Sequence, residues 1–329
     1  MFHFPVTEST LSAAHLQQLL IERYRLGNGA KCTLFRTGMN HLYQVADGDK
    51  RYVLRVYTFN WRTKKEVTEE LRLLLHLKNN NIRVAYPIRD INDGYLQDIA
   101  APEGTRYAVL FSYAEGEKNP RFSTATSYHI GVAMAKMHQA AQGFVLERIH
   151  YNADTLLIES LRRTKLFFNT PSKGMGFVEQ LTKYLESRYA QVNDDTMRSG
   201  AIHLDMWFDN MHVKGESEVT FYDFDFCGNG WLCHDISYFL YQLYNTNQEE
   251  GAYQEKFARF LAGYESVIKL TDEEKKFLPF GALGIMLFYI SMQCDRYDTW
   301  SNIFLNEDHL NRLTGSLNRW MDFNNIRME

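Results

Sequence analysis

Positive charge is not in excess, proline is scarce, and the few cysteines stand apart. Each absence closes off a class of function. With 36 Lys and Arg against 40 Asp and Glu, the chain carries a formal charge of −4. A nucleic-acid partner requires a basic surface for phosphates, so none is expected, whereas a neutral or cationic small molecule suits this balance. The four cysteines (Cys32, Cys227, Cys233, Cys294) form no CxxC pair, which indicates neither a disulfide framework nor a zinc knuckle. "CGNGWLCH" brings Cys227, Cys233 and His234 close together without metal-ligand spacing, and reads as small buried side chains. Low-complexity segments, repeats and long charge runs are missing too. "MFHFPVTESTLSAAHLQQLL" lacks a basic segment followed by an apolar run, so no signal peptide is expected. The longest mostly apolar stretch, "LPFGALGIMLFYISM" (278–292), is expected to be too short for a bilayer and to form a buried helix. A cytoplasmic protein without a membrane partner is the expectation; oligomeric state stays open.

What is present is apolar and aromatic: 45% hydrophobic residues over 329 positions can build a large core or two domains. Leu11, Leu16, Leu19 and Leu20 recur at helical spacing, and a helix is expected to run to the Gly27-Asn28-Gly29 stop. Three segments rich in β-formers follow, "CTLFRTGM", "HLYQVADGDK" and "RYVLRVYTF", with a hairpin signal at Ala46-Asp47-Gly48-Asp49. An amphipathic helix over 62–78 and two strands, "GYLQDIA" and "RYAVLFSY", complete a small antiparallel sheet with one internal helix. Past the polar "AEGEKNP" (114–120) the pattern becomes helical, over about 124–141, 153–168, 176–192, 233–246, 251–268 and 272–295. A hairpin interrupts it within 200–226. The expected division is a sheet domain over 1–113 and a helical domain over 114–329.

Two acidic clusters flank that hairpin: "AIHLDMWFDNMHV" (201–213) and "FYDFDFCG". Carboxylates among apolar residues are costly to bury unless a charge meets them. Asp205 and Asn210 lie five residues apart, and Asp223 thirteen further on, across the hairpin. A carboxylate and an amide oxygen aimed at one point suit Mg²⁺, a hard cation that keeps water and phosphate oxygens in its shell. A further aspartate clear of the metal can take a proton from an attacking hydroxyl. These are the parts of phosphoryl transfer, in which catalysis is mostly positioning and charge neutralisation.

"HLDMWFDNMHV" followed by "TFYDFDFCGNGW…HDISYFL" resembles the aminoglycoside phosphotransferase and choline kinase group of small-molecule kinases. "HIGVAMAKMHQAA", "RYVLRVY" and "EELRLLLHLKNNNIRVAYPI" extend the likeness along most of the chain. The resemblance implies the two-lobed protein-kinase-like α+β fold, with a small antiparallel-sheet N-lobe and a larger helical C-lobe. It implies ATP (GTP being the other option) and Mg²⁺ as cofactors and a small-molecule hydroxyl acceptor. Residue by residue, it makes Asp205 the catalytic base, His203 the brace of its loop, Asn210 and Asp223 the magnesium ligands, and Asp235 the acid tying the loop to the next helix. Asp225 stays open between a second metal and a local hydrogen bond.

The nucleotide side departs from the family pattern. A lysine is usual on the third strand, and "VLRVY" supplies Arg55, which can still hold phosphate and carboxylate but is not an interchangeable point charge. Val53, Arg55 and Tyr57 point one way on the strand. Glu70, beside the apolar stripe of the following helix, is the expected partner; Glu66 and Glu69 are expected to be solvated. One glycine, Gly38, marks the loop whose backbone through Asn40 and His41 either caps phosphates or is a plain turn. The resemblance puts the adenine near Phe111 and Tyr113. At Leu204 the family usually has glycine. Trp207 and Asp209 also depart from the aminoglycoside kinase pattern. Asp295, Asp298, Glu307 and Asp308 either line an acceptor cleft or form a solvated face. The main expectation is a kinase for a hydroxyl on an aminoglycoside, amino alcohol or homoserine-like molecule. A protein Ser/Thr kinase, a nucleotide-binding pseudokinase scaffold and a metal-dependent hydrolase are the alternatives.

Overall fold

Gly48 and Asp49 close a two-residue hairpin: Asp47 pairs with Lys50 at its tip, and Gly48 adopts the left-handed backbone (φ 59°) such a turn needs. In the computed structural model, which describes residues 4–247, 249 and 251–328, that hairpin belongs to the first of two compact units. The first unit comprises Met1–Asn79 with Val84–Ala114, the second Asn80–Arg83 with Glu115–Glu329.

The first unit holds α1 (Ala13–Tyr24), β1 (Lys31–Arg36), β2 (Asn40–Asp47), β3 (Lys50–Tyr57), α2 (Lys64–Asn79), β4 (Leu96–Ala101) and β5 (Gly104–Ser112). The strands form one antiparallel sheet in the order β1-β2-β3-β5-β4. Leu16, Leu20 and Tyr24 of α1 pack with Cys32, Tyr43, Val45, Leu54, Val56, Ala108 and Leu110 in one core cluster. The period of two then sends Arg55 and Tyr57 to the other face, where Glu70 of α2 meets both. α1 stops at Tyr24, earlier than the glycine pair suggested. Arg25 takes the left-handed conformation itself (φ 52°), and Gly27 instead accepts Ala30 N–H in the turn that leads to β1.

The second unit contains α3 (Thr124–Ala141), β6 (His150–Tyr151), α4 (Glu159–Phe167), α5 (Lys173–Tyr189), β7 (Ser199–Ile202), β8 (Met211–Lys214), β9 (Glu218–Phe221), β10 (Gly228–Trp231), α6 (Cys233–Thr246), α7 (Ala252–Glu265), α8 (Asp272–Asp295) and α9 (Glu307–Phe323). β8 and β9 form the hairpin between the acidic clusters, and β6-β10-β7 a second small sheet. α3 crosses α7 at backbone contact: a Cβ on Gly131 would sit 2.1 Å from Phe260 O, and one on Gly263 2.0 Å from Tyr128 O. α8 corrects the length expected of the longest apolar stretch and bears out its burial. At 24 residues it is long and apolar enough by composition to cross a membrane, yet 78% of its apolar window is buried inside the protein. It packs on α4, α5 and α6, as a core helix does.

Candidate active site

β7 delivers the chain to His203, and the next residue turns it. Leu204 is fully buried with φ 67°, a left-handed backbone that costs a residue with a Cβ about 1–2 kcal/mol. The carboxylate of Asp235, in the first turn of α6, holds this bend. Its Oδ2 accepts His203 N–H at 3.0 Å and its Oδ1 accepts Leu204 N–H at 2.6 Å. His138, on α3, adds Nε2 at 3.1 Å, and its Nδ1 lies 2.8 Å from the Tyr264 hydroxyl. Burial pushes the Asp235 carboxyl up, but the His138 hydrogen bond, the nearby imidazole charges and the His203 N–H outweigh it and hold the carboxyl below its ordinary range.

The His203 ring is fixed at both nitrogens. Nε2 donates to Tyr222 O at 2.9 Å, and Nδ1 accepts Asp205 N–H at 3.2 Å, the pattern of a neutral ring protonated on Nε2. One histidine thereby ties the loop before β8 to the strand end after β9. Asp205 is half-buried. Burial pushes its carboxyl up to about 6; the His203 imidazole opposes this, the Asp223 charge adds to it, and hydrogen bonds from the Tyr289 phenol and the Asn210 amide pull it down. Asn210 closes the 3-10 turn Phe208–Asn210, and its Nδ2 donates to Asp205 O at 2.9 Å and Oδ2 at 2.7 Å. With the amide nitrogen committed to Asp205, its carbonyl oxygen is the atom turned to other chemistry. Asp223 follows β9 with φ 62°, and Asp225 is buried in the 3-10 turn Phe224–Phe226, where its carbonyl accepts Arg148 Nη2 at 2.5 Å. Among the described residues no three His, Cys, Asp or Glu gather around one point as a metal cage, and all four cysteines are free and buried.

In the first unit, Arg55 is only 5% exposed. Its Nη1 donates to Glu70 Oε1 at 2.7 Å and to the Tyr57 hydroxyl at 3.3 Å, and the phenol donates to Glu70 Oε2 at 2.8 Å. The guanidinium also lies 5.0 Å from the Phe111 ring centre. Tyr57 completes this group; its period-two spacing from Arg55 was the available signal. Glu69 corrects another expectation: it is only 9% exposed and takes two hydrogen bonds from Arg72. Asn40 and His41 use their side chains within the unit. Asn40 Oδ1 accepts Thr58 N–H at 3.4 Å, and His41 Nε2 lies 3.2 Å from Glu8 Oε1. Gly38 sits in the short loop between β1 and β2, and Tyr113 stacks under Arg51 at 4.0 Å. In the second unit Asp209 accepts Lys118 Nζ at 2.6 Å, Trp207 packs edge-on against Phe208, and Asp295 pairs with Arg163 at 2.8 Å.

The sequence model of the phosphotransferase enzyme family matches residues 31–270. The chain belongs to the phosphotransferase enzyme family. Its relatives include the homoserine kinase of Chelativorans sp. (strain BNC1), 28% identical over 254 residues, 76% of this chain and 74% of the relative. In structure it is similar to amicoumacin kinase hAmiN, solved with AMP-PNP, Ca²⁺ and Ami (TM-score 0.76, 20% identity, 95% and 94% of the chains covered). It is also similar to a microcompartment-associated aminopropanol kinase (TM-score 0.75, 18% identity, 97% and 100% covered). This family member has the protein-kinase-like α+β fold and is a phosphotransferase acting on a hydroxyl acceptor.

Proposed function

We propose that this phosphotransferase moves the γ-phosphoryl group of MgATP to a hydroxyl of a small amino alcohol or hydroxy amino acid, with Asp205 as the base. The observation that carries the reading is the joint anchoring of Asp205 and Asn210: one amide fixes the carboxylate while presenting its own oxygen beside it. A carboxyl raised to about 6 is ionised at neutral pH yet basic enough to share a proton with the attacking hydroxyl. The donors on offer for a cation, the Asn210 amide oxygen and the Asp223 carboxylate, are hard oxygens and fit Mg²⁺. When bound, that cation neutralises phosphate charge. His203 and Asp235 keep Asp205 at a fixed place and angle, and Asn210 keeps its carboxylate from rotating. Arg55, held by Glu70 and Tyr57, is the phosphate contact that replaces the usual lysine, with Phe111 and Tyr113 on the adenine side.

The amino-alcohol class draws on the relatives, whose names give homoserine and aminopropanol as acceptors. Retention of Asp205, Asn210 and Asp223 in mutual contact or electrostatic reach speaks against a scaffold without chemistry. MgATP at about a hundred times its dissociation constant stabilises a folded site by roughly 2.7 kcal/mol, so the melting temperature of the wild type should rise by several degrees. The shift should vanish in Asp223→Asn. With homoserine and 1-amino-2-propanol as acceptors, Asp205→Ala should lose about 10²–10⁴ in transfer rate. Full transfer activity in that variant would overturn the mechanism.

A further inference from the structure

The glycine crossing of α3 and α7 puts two polar rings side by side in the core. Gly263 lets the backbones touch, and the next residue, Tyr264, meets His138 in the last turn of α3 with ring centres 5.7 Å apart. Neither ring is exposed. The phenol oxygen lies 2.8 Å from His138 Nδ1, and Nε2 lies 3.1 Å from Asp235 Oδ2. The donors and acceptors along this line fix where the protons sit. Asp235 has its carboxyl held below the ordinary range, so it is ionised and only accepts, and Nε2 must carry a proton. On the far side, Arg198 hydrogen-bonds the same phenol, while its Nε and Nη2 hold Glu274 at 2.8 Å each. A guanidinium has no lone pair to offer, so the phenol oxygen accepts from it and the single phenol proton is left for Nδ1. Burial raises the pKa of the phenol and Arg198 offsets only part of that, so the proton stays available to donate. His138 is thereby a neutral ring protonated on Nε2. An imidazolium would make Nδ1 a donor as well and leave the phenol proton without an acceptor among the described residues.

We propose that Tyr264 is a positioning residue for the base: its phenol keeps His138 neutral, and so leaves the charge of Asp235 to the backbone of the loop that carries Asp205. The proposal rests on the reading of Asp205 as the base. Asp235 Oδ2 is shared between His138 Nε2 and His203 N–H. Hydrogen bonds from charged donors are roughly twice as strong as those from neutral ones. A proton added at Nδ1 would make His138 the stronger claimant on that oxygen, at the expense of His203 N–H. The bend at Leu204 depends on this hold, because its left-handed backbone persists only where the surroundings over-determine it. Asp205 lies just past the bend, so a slackened hold is felt as a misplaced carboxylate. The groups facing His138 are Tyr264 on α7, Asp235 on α6 and His203 in the loop, with Arg198 and Glu274 behind the phenol. β7 and β9 also pack on α3; β7 has no titratable residue, and Glu218 of β9 pairs with Arg83 at the surface. Asp235, in contact with the ring, favours a proton on it, and the phenol is the group that occupies the place where the proton would go.

The test compares wild type, Tyr264→Phe, His138→Gln and the double variant in transfer from MgATP to L-homoserine and to 1-amino-2-propanol. Titration of Asp205 is common to all four and cancels in the ratio of variant to wild type. For Tyr264→Phe the kcat ratio should fall by roughly threefold or more between about pH 8 and about pH 6, where histidine takes up charge, with KM for ATP unchanged. Glutamine can give an amide N–H to Asp235 and cannot be protonated, so the double variant should follow the pH profile of His138→Gln alone. A Tyr264→Phe ratio that is flat with pH overturns the proposal, since a phenol that only fills space loses activity equally at every pH. A pH-dependent ratio that survives in the double variant overturns it too. A second readout needs no activity: ring-nitrogen NMR of wild type carrying isotope-labelled histidine at neutral pH, the His138 signals being those missing from His138→Gln. One protonated and one bare nitrogen are expected, and two protonated nitrogens overturn the proposal. Wild type that transfers to neither acceptor fails the proposed function, and the inference about Tyr264 then stands or falls on the spectrum.

Discussion

Glu70 in the first unit and Asp235 in the second are both fully buried carboxylates, and they are satisfied in opposite ways. Glu70, in the middle of α2, receives side-chain donors, the Arg55 guanidinium and the Tyr57 phenol. Asp235, at the start of α6, receives two backbone N–H groups besides His138. The difference separates what mutation can renegotiate from what it cannot. A side-chain donor can be exchanged for another, and the arginine in place of the family's usual lysine is such an exchange. Backbone donors belong to the path of the chain, so Asp235 dictates the bend at Leu204 and with it the position of Asp205.

The largest expected effect is therefore at Asp235. Asp235→Ala strands two buried N–H groups and an imidazole, and urea unfolding should show a loss of about 3–5 kcal/mol. A loss below 1 kcal/mol would mean that the loop holds itself. The neighbouring His234 sharpens the contrast, being as deeply buried but with the Tyr189 hydroxyl, at 3.5 Å, as its side-chain neighbour. Burial lowers its pKa to about 4, against an ordinary 6.5 in the unfolded chain. Between these values the unfolded chain binds a proton that the folded protein does not. Stability should fall as pH drops from about 6.5 to about 4, by up to about 3 kcal/mol, and unfolding of His234→Phe should show a flatter profile. Asp235, whose carboxyl is held low, contributes in a lower window, its stabilisation being lost only as pH falls below the ordinary aspartate value of about 3.9. Glu70→Gln keeps the shape and removes the charge facing Arg55; the same unfolding measurement should register about 1.5–3 kcal/mol. Tyr57→Phe, which removes a donor to Glu70, should cost about 0.5–1.5 kcal/mol. If it matches Glu70→Gln instead, the phenol is an equal partner in the pair.

Local chemistry was legible in the sequence where a spacing forces a geometry. Gly48-Asp49 could close only a tight hairpin, and alternation on β3 put Arg55 opposite the leucine and valine of the core. The ion pair with Glu70 followed from the apolar stripe of α2. Distant contacts were not legible. Nothing near "HLD" points to Tyr289, 84 positions further on, whose phenol meets Asp205 only in three dimensions. Glu69 looked solvated because its neighbour three residues on, Arg72, which shields it, itself reads as a surface residue. The end of α1 was misplaced because an arginine took the left-handed position that glycine usually fills. Asn40 and His41 were candidates through their backbone beside Gly38, and their side chains help hold the start of β2 to Thr58 and Glu8.

The position of α8 in the chain has a consequence for biogenesis. Its partner α4 ends at Phe167 and α8 ends at Asp295, so more than a hundred residues must be synthesised after α4 before the two can meet. At about 5–20 residues per second, the face of α4 awaiting it stays uncovered on the ribosome for on the order of ten seconds. Over that interval the second unit is a partly assembled chain with an apolar seam open to water, and a premature stop before α8 would leave a product that chaperones hold and proteases clear rather than a smaller enzyme.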